Sequence, residues 1–260
     1  MSNTRPPYRE FRKRLIGREN VLGTFIKTPT SHATEIFGIL GFDFVVFDQE
    51  HAAIGQNALD MMILGARASN IAAIVRVGDS SDQNILSVLD CGATGVLVPH
   101  VATAEKARNI VAACRYKNGH RGVATTTRAG QFGGVPSAEH MKNQDAEVTC
   151  IAMIEDVSAL DEIDEIVRVD GLDAIFIGRG DLTAAIGAPS MTSAETYEIV
   201  APIMAAAKKA DLPIIMLSPN RDDAEAMAKL GASAFIISSD HGFMRKAAIA
   251  ALKEFKSPIE

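Results

Sequence analysis

The sequence has no tryptophan, only three cysteines and no long apolar run, and each of these absences narrows what the protein can be. Cys91, Cys114 and Cys150 are far apart and form no C-x-x-C pair, so neither a zinc knuckle nor a disulfide framework is indicated. Free thiols are typical of the reducing cytoplasm, where we expect this protein. No apolar stretch approaches the ~20 residues that span a bilayer, so we expect no membrane association.

An excess of positive charge is also lacking, because 32 acidic residues outnumber 26 lysines and arginines. The formal net charge is −6, which argues against nucleic acid or an anionic membrane as the main partner. Apolar residues make up 47% of the chain, enough for a sizeable core. We therefore predict a globular protein whose substrates are small molecules.

Eight short apolar runs follow one another along the chain, most of them bounded by Gly, Asp, Asn or Pro. They lie at residues 21–27, 42–48, 72–78, 94–99, 148–155, 172–178, 212–217 and 233–238. Nearly continuous apolar runs of this length are typical of strands buried on both faces. Amphipathic segments separate them, and two of these have helix-capping signals, Ser81 with Gly92 and Asn220 with Gly231.

Eight βα units without a linker between them predict a single (β/α)8 TIM barrel over residues 1–260. The alternative is a doubly wound open sheet, but no G-x-G-x-x-G follows the first strand. Residues 115–147 interrupt the rhythm, because they are too long for an ordinary connection. We predict a long arm or loop there, which either decorates the surface or reaches a neighbouring subunit.

In such a barrel the active site lies where the strands end. Several ionisable residues stand at these ends: Asp48, Glu50, His51, Arg76, His100, Glu155, Asp156 and Asp181. Glu155 and Asp181 follow adjacent strands, and two carboxylates completed by water and substrate oxygens suit Mg²⁺ or Mn²⁺. The alternative is that each carboxylate only caps the following helix. His100 is a candidate ligand, substrate contact or interface residue.

Two other side chains have residue types that suit catalysis. His51 has the right side chain for a general base, although a hydrogen-bonded structural histidine is the alternative. Arg76 lies within a buried strand and must find an anion or a polarised oxygen, and an ion pair with Asp48 or Glu50 is compatible with that role. Small residues at 178–181 precede a helix start, whose free amides can hold a carboxylate.

Six motifs in this order resemble the HpcH/HpaI family of metal-dependent class II pyruvate aldolases. They are FDQEHAA, VRVG, LDCGATGVLVPHV, RYKNGHRGV, MIED and FIGRGDLTAAIG. The resemblance implies a (β/α)8 barrel that reversibly cleaves a 4-hydroxy-2-oxo acid to an aldehyde and pyruvate, or an analogue such as hydroxypyruvate. It also implies a divalent metal cofactor (Mg²⁺, Mn²⁺ or Co²⁺) and a homo-oligomer, hexameric in known members, with the C-terminal helix exchanged between subunits.

The resemblance further implies roles for individual residues. Glu155 and Asp181 are similar to the two protein ligands of the metal. His51 is similar to the base that takes the hydroxyl proton, and Arg76 to the residue that steadies the enolate. Asp90 is similar to an acid that raises the basicity of the histidine across a subunit interface.

Other residues match the family's substrate and metal surroundings or depart from them. Asp48 is similar to a partner of metal-bound water, and the backbone at Gly180 and Asp181 to the binding site of the pyruvyl carboxylate. Met153 stands where the family commonly has a substrate-contacting Gln. Arg179 adds a charge within I-G-R-G-D, and with Gln49 in place of Gly these departures predict altered substrate contacts.

Two other functions are compatible with the sequence. One is an acyl-CoA lyase of the same superfamily, acting on malyl- or citramalyl-CoA, with Arg121 and Arg128 as candidate contacts of the CoA tail. The other is a catalytically silent barrel that serves as a binding subunit. Beyond Lys27 no predicted strand end offers a lysine, which argues against a Schiff-base aldolase.

Overall fold

Eight parallel strands close into a barrel in chain order in the computed structural model, which describes residues 6–256. The strands are β1 (Val21–Ile26), β2 (Phe44–Asp48), β3 (Ala72–Arg76), β4 (Gly95–Val98), β5 (Thr149–Ile154), β6 (Ala174–Ile177), β7 (Ile214–Leu217) and β8 (Ala234–Ser239). Because β8 pairs with β1, the sheet has no open edge. The predicted barrel is confirmed, and the open sheet is excluded.

Helices alternate with the strands on the outside of the barrel. Within residues 6–256 the α-helices are α1 (Phe11–Ile16), α2 (Ser31–Leu40), α3 (Gln56–Ala68), α4 (Asp82–Asp90), α5 (Ala104–Cys114), α6 (Ser137–Glu147), α7 (Ile163–Ile166), α8 (Arg179–Ile186), α9 (Ala194–Lys209), α10 (Arg221–Leu230) and α11 (Asp240–Phe255). None of these helices combines the length and the apolar character that crossing a membrane requires.

The predicted helix caps are present. The Ser81 hydroxyl accepts a hydrogen bond from the Asn84 amide, and the Asn220 side chain accepts one from the Asp223 amide. Gly231 ends α10 with φ of 118°, a left-handed conformation that glycine adopts without steric cost. The two N-caps fix where α4 and α10 begin, and Gly231 fixes where α10 ends.

The inside of the barrel is a packed apolar layer, and a second apolar layer lies between the strands and the outer helices. Helix α1 covers the end of the barrel where the strands begin. Phe11 of this helix is 1% exposed, and its ring centroid lies 5.1 Å from that of Phe44 at the start of β2. The site described below occupies the other end.

The segment 115–147 is more ordered than a predicted arm or loop. Its last third is α6. The sequence of this helix has no apolar periodicity, because His140 is the one buried residue among its eleven. Arg115 Nη2 lies 2.7 Å from the Asp173 carboxylate, and the Tyr116 hydroxyl lies 3.0 Å from His140 Nε2. The first contact holds the segment on its own barrel, and the second joins two parts of the segment to each other. Its contact with a neighbouring subunit stays a prediction.

The C-terminal helix α11 leaves the barrel after its first turn. The ring of Phe243 packs 5.6 Å from that of Phe37 on α2, whereas residues 244–256 are all exposed. The large apolar side chains among them are Met244, Ile249, Leu252 and Phe255. A helix with this exposure fits the predicted exchange between subunits, which itself stays a prediction.

Candidate active site

Asp48 organises the polar groups at the end of β2. It lies opposite Arg76 in the pairing of β2 with β3, and Arg76 Nε and Nη2 donate to its two oxygens at 3.0 and 2.8 Å. Lys27 Nζ lies 3.0 Å from the same carboxylate. Burial opposes the ionisation of Asp48, but the hydrogen bonds and charge of Arg76 outweigh it and lower its pKa to about 2. This fully buried carboxylate is therefore charged and holds Arg76 in place.

The guanidinium of Arg76 has two further contacts besides Asp48. Nη1 lies 3.3 Å from Glu50 Oε2, and the guanidinium carbon lies 4.9 Å from the centroid of the Phe25 ring. The ion pairs with Asp48 and Glu50 that the sequence allows are both present. Arg76 nevertheless lines the cavity beside these strand ends, so a fixed positive charge also faces the space available to a substrate.

Glu155 follows β5 and is 4% exposed. Its Oε1 accepts a hydrogen bond of 2.8 Å from the His100 amide, which follows β4. Burial raises the pKa of Glu155 to about 7, and the negative charges of Asp181 and Glu50 add to the rise although His100 opposes it. The structure therefore brings Glu155 and Asp181 within electrostatic reach, as their place on adjacent strands predicts.

Asp181 lies in the first turn of α8, which follows β6. Within residues 6–256 its carboxylate has no hydrogen bond or ion pair, so the role of a cap is not observed. Gly178 allows β6 to approach Glu155, because a Cβ on Gly178 would lie 2.6 Å from the Glu155 Cβ. The side chain of Glu155 thus lies directly over the start of α8.

The donor set at these strand ends fits a divalent cation. Glu50 Oε2 is buried and accepts no hydrogen bond within residues 6–256. Burial lowers the pKa of His100, but the nearby acids Asp156, Glu155 and Glu50 raise it and determine the net shift. Carboxylates with this excess of negative charge are the ligands that Mg²⁺ and Mn²⁺ prefer. The acids at these strand ends therefore make the binding of a positive charge favourable, as a metal site requires.

A cavity of about 360 Å³ opens beside these residues. Its lining includes Arg76, Met153, Gly180 and Asp181, the four predicted substrate contacts, together with Phe25, Phe176, Met191 and Leu217. The first amides of α8 have no acceptor within the helix and carry its positive dipole end. The start of α8 can therefore receive an anion, and the aromatic and aliphatic side chains of the lining add apolar surface.

Arg179 also lines this cavity, and its guanidinium is held in a buried ion pair. Its Nη1 and Nη2 lie 2.8 and 2.6 Å from the two carboxylate oxygens of Asp223, and both residues are buried. Nη2 also donates to the Leu217 carbonyl. The charge that Arg179 adds to the motif is present, and Asp223 balances it. The pair also ties the start of α8 to α10, and its effect on substrate contacts stays a prediction.

His51 and Asp90 do not meet within one chain. His51 is 57% exposed at its side chain, and its Nε2 lies 3.6 Å from Glu50 Oε2. Asp90 is the last residue of α4, a helix that runs back towards the beginning of the strands, and it lies 3.2 Å from Arg121 Nη2. An interaction of Asp90 with His51 therefore requires a second subunit, as the resemblance implies, and it stays a prediction.

The arrangement around His100 and Asp156 was not predicted from the sequence. His100 Nδ1 lies 3.1 and 3.3 Å from the two oxygens of Asp156. A possible signal was the position of both residues directly after strands, since Asp156 adjoins Glu155 and His100 follows "LVP". The partner of each could not be found from that signal, because it depends on the shape of two loops.

Comparison with known sequences identifies relatives over nearly the whole chain. A sequence model described as HpcH/HpaI aldolase/citrate lyase matches residues 22–247. A 5-keto-4-deoxy-D-glucarate aldolase of Klebsiella pneumoniae subsp. pneumoniae is 32% identical over 240 residues, which cover 92% of this chain and 93% of the relative. A protein of the same name from Escherichia fergusonii is 33% identical over 238 residues, with 91% and 92% covered.

Solved structures agree with these relatives. An HpcH/HpaI aldolase/citrate lyase family protein from Burkholderia cenocepacia superimposes with a TM-score of 0.89 at 25% identity, covering 96% of this chain and 100% of that chain. The citrate synthase SbnG has a TM-score of 0.85 at 32% identity, with 94% and 96% covered. The prediction of an enzyme of the aldolase type is confirmed, and this chain belongs to the HpcH/HpaI aldolase/citrate lyase family.

Proposed function

We propose that the protein is a divalent-metal-dependent aldolase that reversibly cleaves a 4-hydroxy-2-oxo acid to an aldehyde and pyruvate, or a close analogue such as hydroxypyruvate. The observation that carries the proposal is the position of Arg76. Its guanidinium is fixed at 3.0 and 2.8 Å by Asp48, yet it lines the same cavity as the anion-binding start of α8. The relatives named 5-keto-4-deoxy-D-glucarate aldolase support the same reaction class.

Glu155 and Asp181 are the residues proposed to hold Mg²⁺, Mn²⁺ or Co²⁺. Their support is the upward pKa shift of Glu155, which burial and the charge of Asp181 produce, and the lack of another partner for Asp181 within residues 6–256. A divalent cation bound there supplies Lewis-acid stabilisation of negative charge on the 2-oxo acid. Asp48, charged and buried, is proposed to support the same site through water.

The backbone at the start of α8 is proposed to bind the carboxylate of the substrate. The amides of Gly180 and Asp181 are free of intrahelical acceptors, and the helix dipole adds positive potential there. Met153 and Phe176 supply apolar surface on the cavity wall, which suits the carbon chain of the oxo acid. The polar contact that a Gln at position 153 would make is replaced by this apolar one.

His51 is proposed to transfer the proton, and Arg76 is proposed to stabilise the negative charge that develops. His51 takes the proton of the C4 hydroxyl as the C3–C4 bond breaks and the aldehyde carbonyl forms. The bonding electron pair moves to the 2-oxo oxygen, where Arg76 provides fixed positive charge. Return of the proton to C3 completes the pyruvate product. Asp90 of a neighbouring subunit is proposed to keep the imidazole basic.

An acyl-CoA lyase is the second candidate, and the structural similarity to a citrate synthase is compatible with it. The arginines considered for a CoA tail are, however, engaged elsewhere. Arg121 pairs with Asp90 at 3.2 Å and its side chain is fully buried, while Arg128 pairs with Asp60 at 2.6 Å. The contacts of both arginines favour the aldolase over the CoA lyase.

A coupled assay tests the proposed function. We expect the metal-loaded enzyme to release pyruvate or hydroxypyruvate from 4-hydroxy-2-oxo acids, followed through reduction of the product by a dehydrogenase. Malyl-CoA and citramalyl-CoA, assayed in parallel, should give no acid product above background. Turnover of the CoA esters with no turnover of any free oxo acid would replace the aldolase by the lyase.

We also propose that the protein is a homo-oligomer in which α11 packs on a neighbouring subunit. The outer face of α2 exposes Ile36, Ile39 and Leu40 beside the point where α11 leaves the barrel. The far part of α11 exposes apolar side chains of its own. Exchange of α11 between two copies would cover both surfaces with matching apolar area.

Charges placed on the apolar face of α11 should dissociate the oligomer. We expect the double variant Ile249→Glu and Leu252→Glu to sediment as a smaller species than the wild type, because two carboxylates cannot be buried unpaired. Lys246→Ala, on the same helix, serves as the matched control. A double variant that sediments like the wild type would show that α11 is not part of the subunit contact.

A further inference from the structure

A histidine lies among the carboxylates of the candidate metal site. Glu50, His100 and Glu155 each offer one ligand atom, and these atoms all lie within 4.8 Å of one another. Glu155 is almost completely buried, and Glu50 Oε2 is a buried oxygen without a hydrogen-bond donor within residues 6–256. The cluster thus combines two acids with an imidazole, and Glu50 Oε2 has no hydrogen bond among the described residues although Arg76 Nη1 lies 3.3 Å from it as an ion-pair partner.

The orientation of the His100 ring is set by Asp156. Nδ1 lies 3.1 and 3.3 Å from the two carboxylate oxygens, so Nδ1 carries the hydrogen that is donated. Nδ1 also lies 3.5 Å from Glu155 Oε1, whereas Nε2, which carries the lone pair in the neutral ring, faces Glu50 Oε1 at 3.8 Å. That distance is too long for a hydrogen bond but leaves a gap that a cation can bridge. A histidine that ligates a metal usually donates its other N–H to a carboxylate in this way.

The backbone holds His100 in register with Glu155. The His100 amide donates to Glu155 Oε1 at 2.8 Å, so the two side chains keep a fixed relation. His100 also has φ of 55°, a left-handed conformation that is uncommon for a residue with a side chain. The loop after β4 therefore brings this imidazole to Glu155 by means of an uncommon backbone conformation.

We propose that His100, through Nε2, is a third protein ligand of the divalent cation that Glu155 holds, and that Asp156 is its positioning residue. The inference rests on the proposed function for the presence of the cation. An imidazole nitrogen added to an oxygen site shifts its preference from Mg²⁺ towards Co²⁺, Mn²⁺ and Zn²⁺. The enzyme is therefore selective for transition metals in a way that two carboxylates alone do not provide.

Metal binding without substrate tests this inference. After dialysis against a chelator, Co²⁺ and Mg²⁺ are titrated calorimetrically into the wild type, His100→Asn and His120→Asn. His120 is the matched control, because it is an exposed histidine that lies 3.1 Å from Asp82 away from the site. We expect His100→Asn to weaken Co²⁺ binding by about tenfold or more and Mg²⁺ binding by about threefold or less. Equal losses for both ions, or an unchanged Co²⁺ affinity, would overturn the proposal.

Pulsed EPR of the Mn²⁺-loaded protein gives a direct second readout. We expect a nitrogen coupling in the wild type and in His120→Asn, and its loss in His100→Asn. Asp156→Asn, which keeps an acceptor for Nδ1–H, should retain the coupling, whereas Asp156→Ala should reduce it. Mn²⁺ that binds without any nitrogen coupling would refute the histidine ligand alone, whereas a wild type that binds no cation would refute the proposed metal-dependent function.

Discussion

Replacing Arg76 by alanine is expected to lower kcat by about a hundredfold to a thousandfold, the range observed when one fixed stabiliser of developing charge is removed. Arg76 lines the cavity while Asp48 and Glu50 hold it on two sides. Its charge is therefore in place before the reaction and requires no reorganisation. Because negative charge on the 2-oxo oxygen grows only in the transition state, kcat should fall more than KM rises.

Loss of folding must be separated from loss of catalysis in this variant. Arg76→Ala leaves the fully buried Asp48 with Lys27 as its remaining ion pair, which destabilises the barrel. Arg76→Lys keeps a positive charge but cannot reproduce the two parallel hydrogen bonds to Asp48, so it should fold better and still lose most activity. Arg168→Ala, on an exposed helical pair, is the matched control. Wild-type kcat in folded Arg76→Lys or Arg76→Ala would show that the arginine is structural.

The barrel could be predicted because each strand has a local apolar sequence pattern. A run such as 72–78 is apolar at nearly every position, and only a strand covered on both faces satisfies that pattern. The caps at Ser81 and Asn220 are also local signals, since the side chain and its amide partner lie three residues apart. Once eight such units are counted, closure of the sheet follows from chain length and topology.

Helix α6 escaped prediction because its sequence has no apolar stripe. It is held instead by contacts at its ends and edges, such as the Asp145 carboxylate that accepts hydrogen bonds from the Tyr116 and Lys117 amides. Those partners are nearly thirty residues earlier in the chain. A polar helix stabilised by such distant contacts cannot be distinguished from a loop by periodicity.

The candidate site was predictable where partners sit on neighbouring strands in register. Asp48 and Arg76 are such a pair, and their hydrogen bonds follow from parallel pairing. The partner of Arg179 was not predicted, because Asp223 is 44 residues away on the first turn of α10. No local pattern indicates that contact, and the sequence alone could show only that a charge had been added. The ring orientation of His100 likewise depends on two loops meeting in space.

Neutralising Glu155 should abolish metal-dependent activity and at the same time stabilise the metal-free protein. The pKa of Glu155 is about 7 in the folded chain, where burial raises it above its ordinary value of 4.5. The folded state therefore keeps a proton between those pH values that the unfolded chain has released. By linkage, the stability of the metal-free wild type falls as pH rises from about 4.5 to about 7 and stays lower above that window.

Glu155→Gln removes that dependence on pH. At pH 8 we expect the metal-free variant to be more stable than the metal-free wild type by on the order of 1 to 3 kcal/mol, measured by chemical denaturation. Excess Mg²⁺ should reverse the order, since a ligand present at about a thousandfold above its Kd adds ~4.1 kcal/mol to the protein that binds it. Glu225→Gln, a change at an exposed acid outside the site, should behave as the wild type in both conditions.

Activity is expected to depend on the metal and on both carboxylates. Exhaustive chelation with EDTA should abolish cleavage by the wild type, and Mg²⁺, Mn²⁺ or Co²⁺ should restore it, whereas Glu155→Gln and Asp181→Asn should stay inactive with every ion. A carboxylate that serves only to hold the fold would lose stability when neutralised, so gain of metal-free stability together with loss of activity is specific to a ligand. Full activity after chelation, or an equal metal-induced stabilisation of Glu155→Gln, would contradict the assignment. The same raised pKa means that a proton competes with the cation, and metal affinity should therefore weaken as pH falls below about 7.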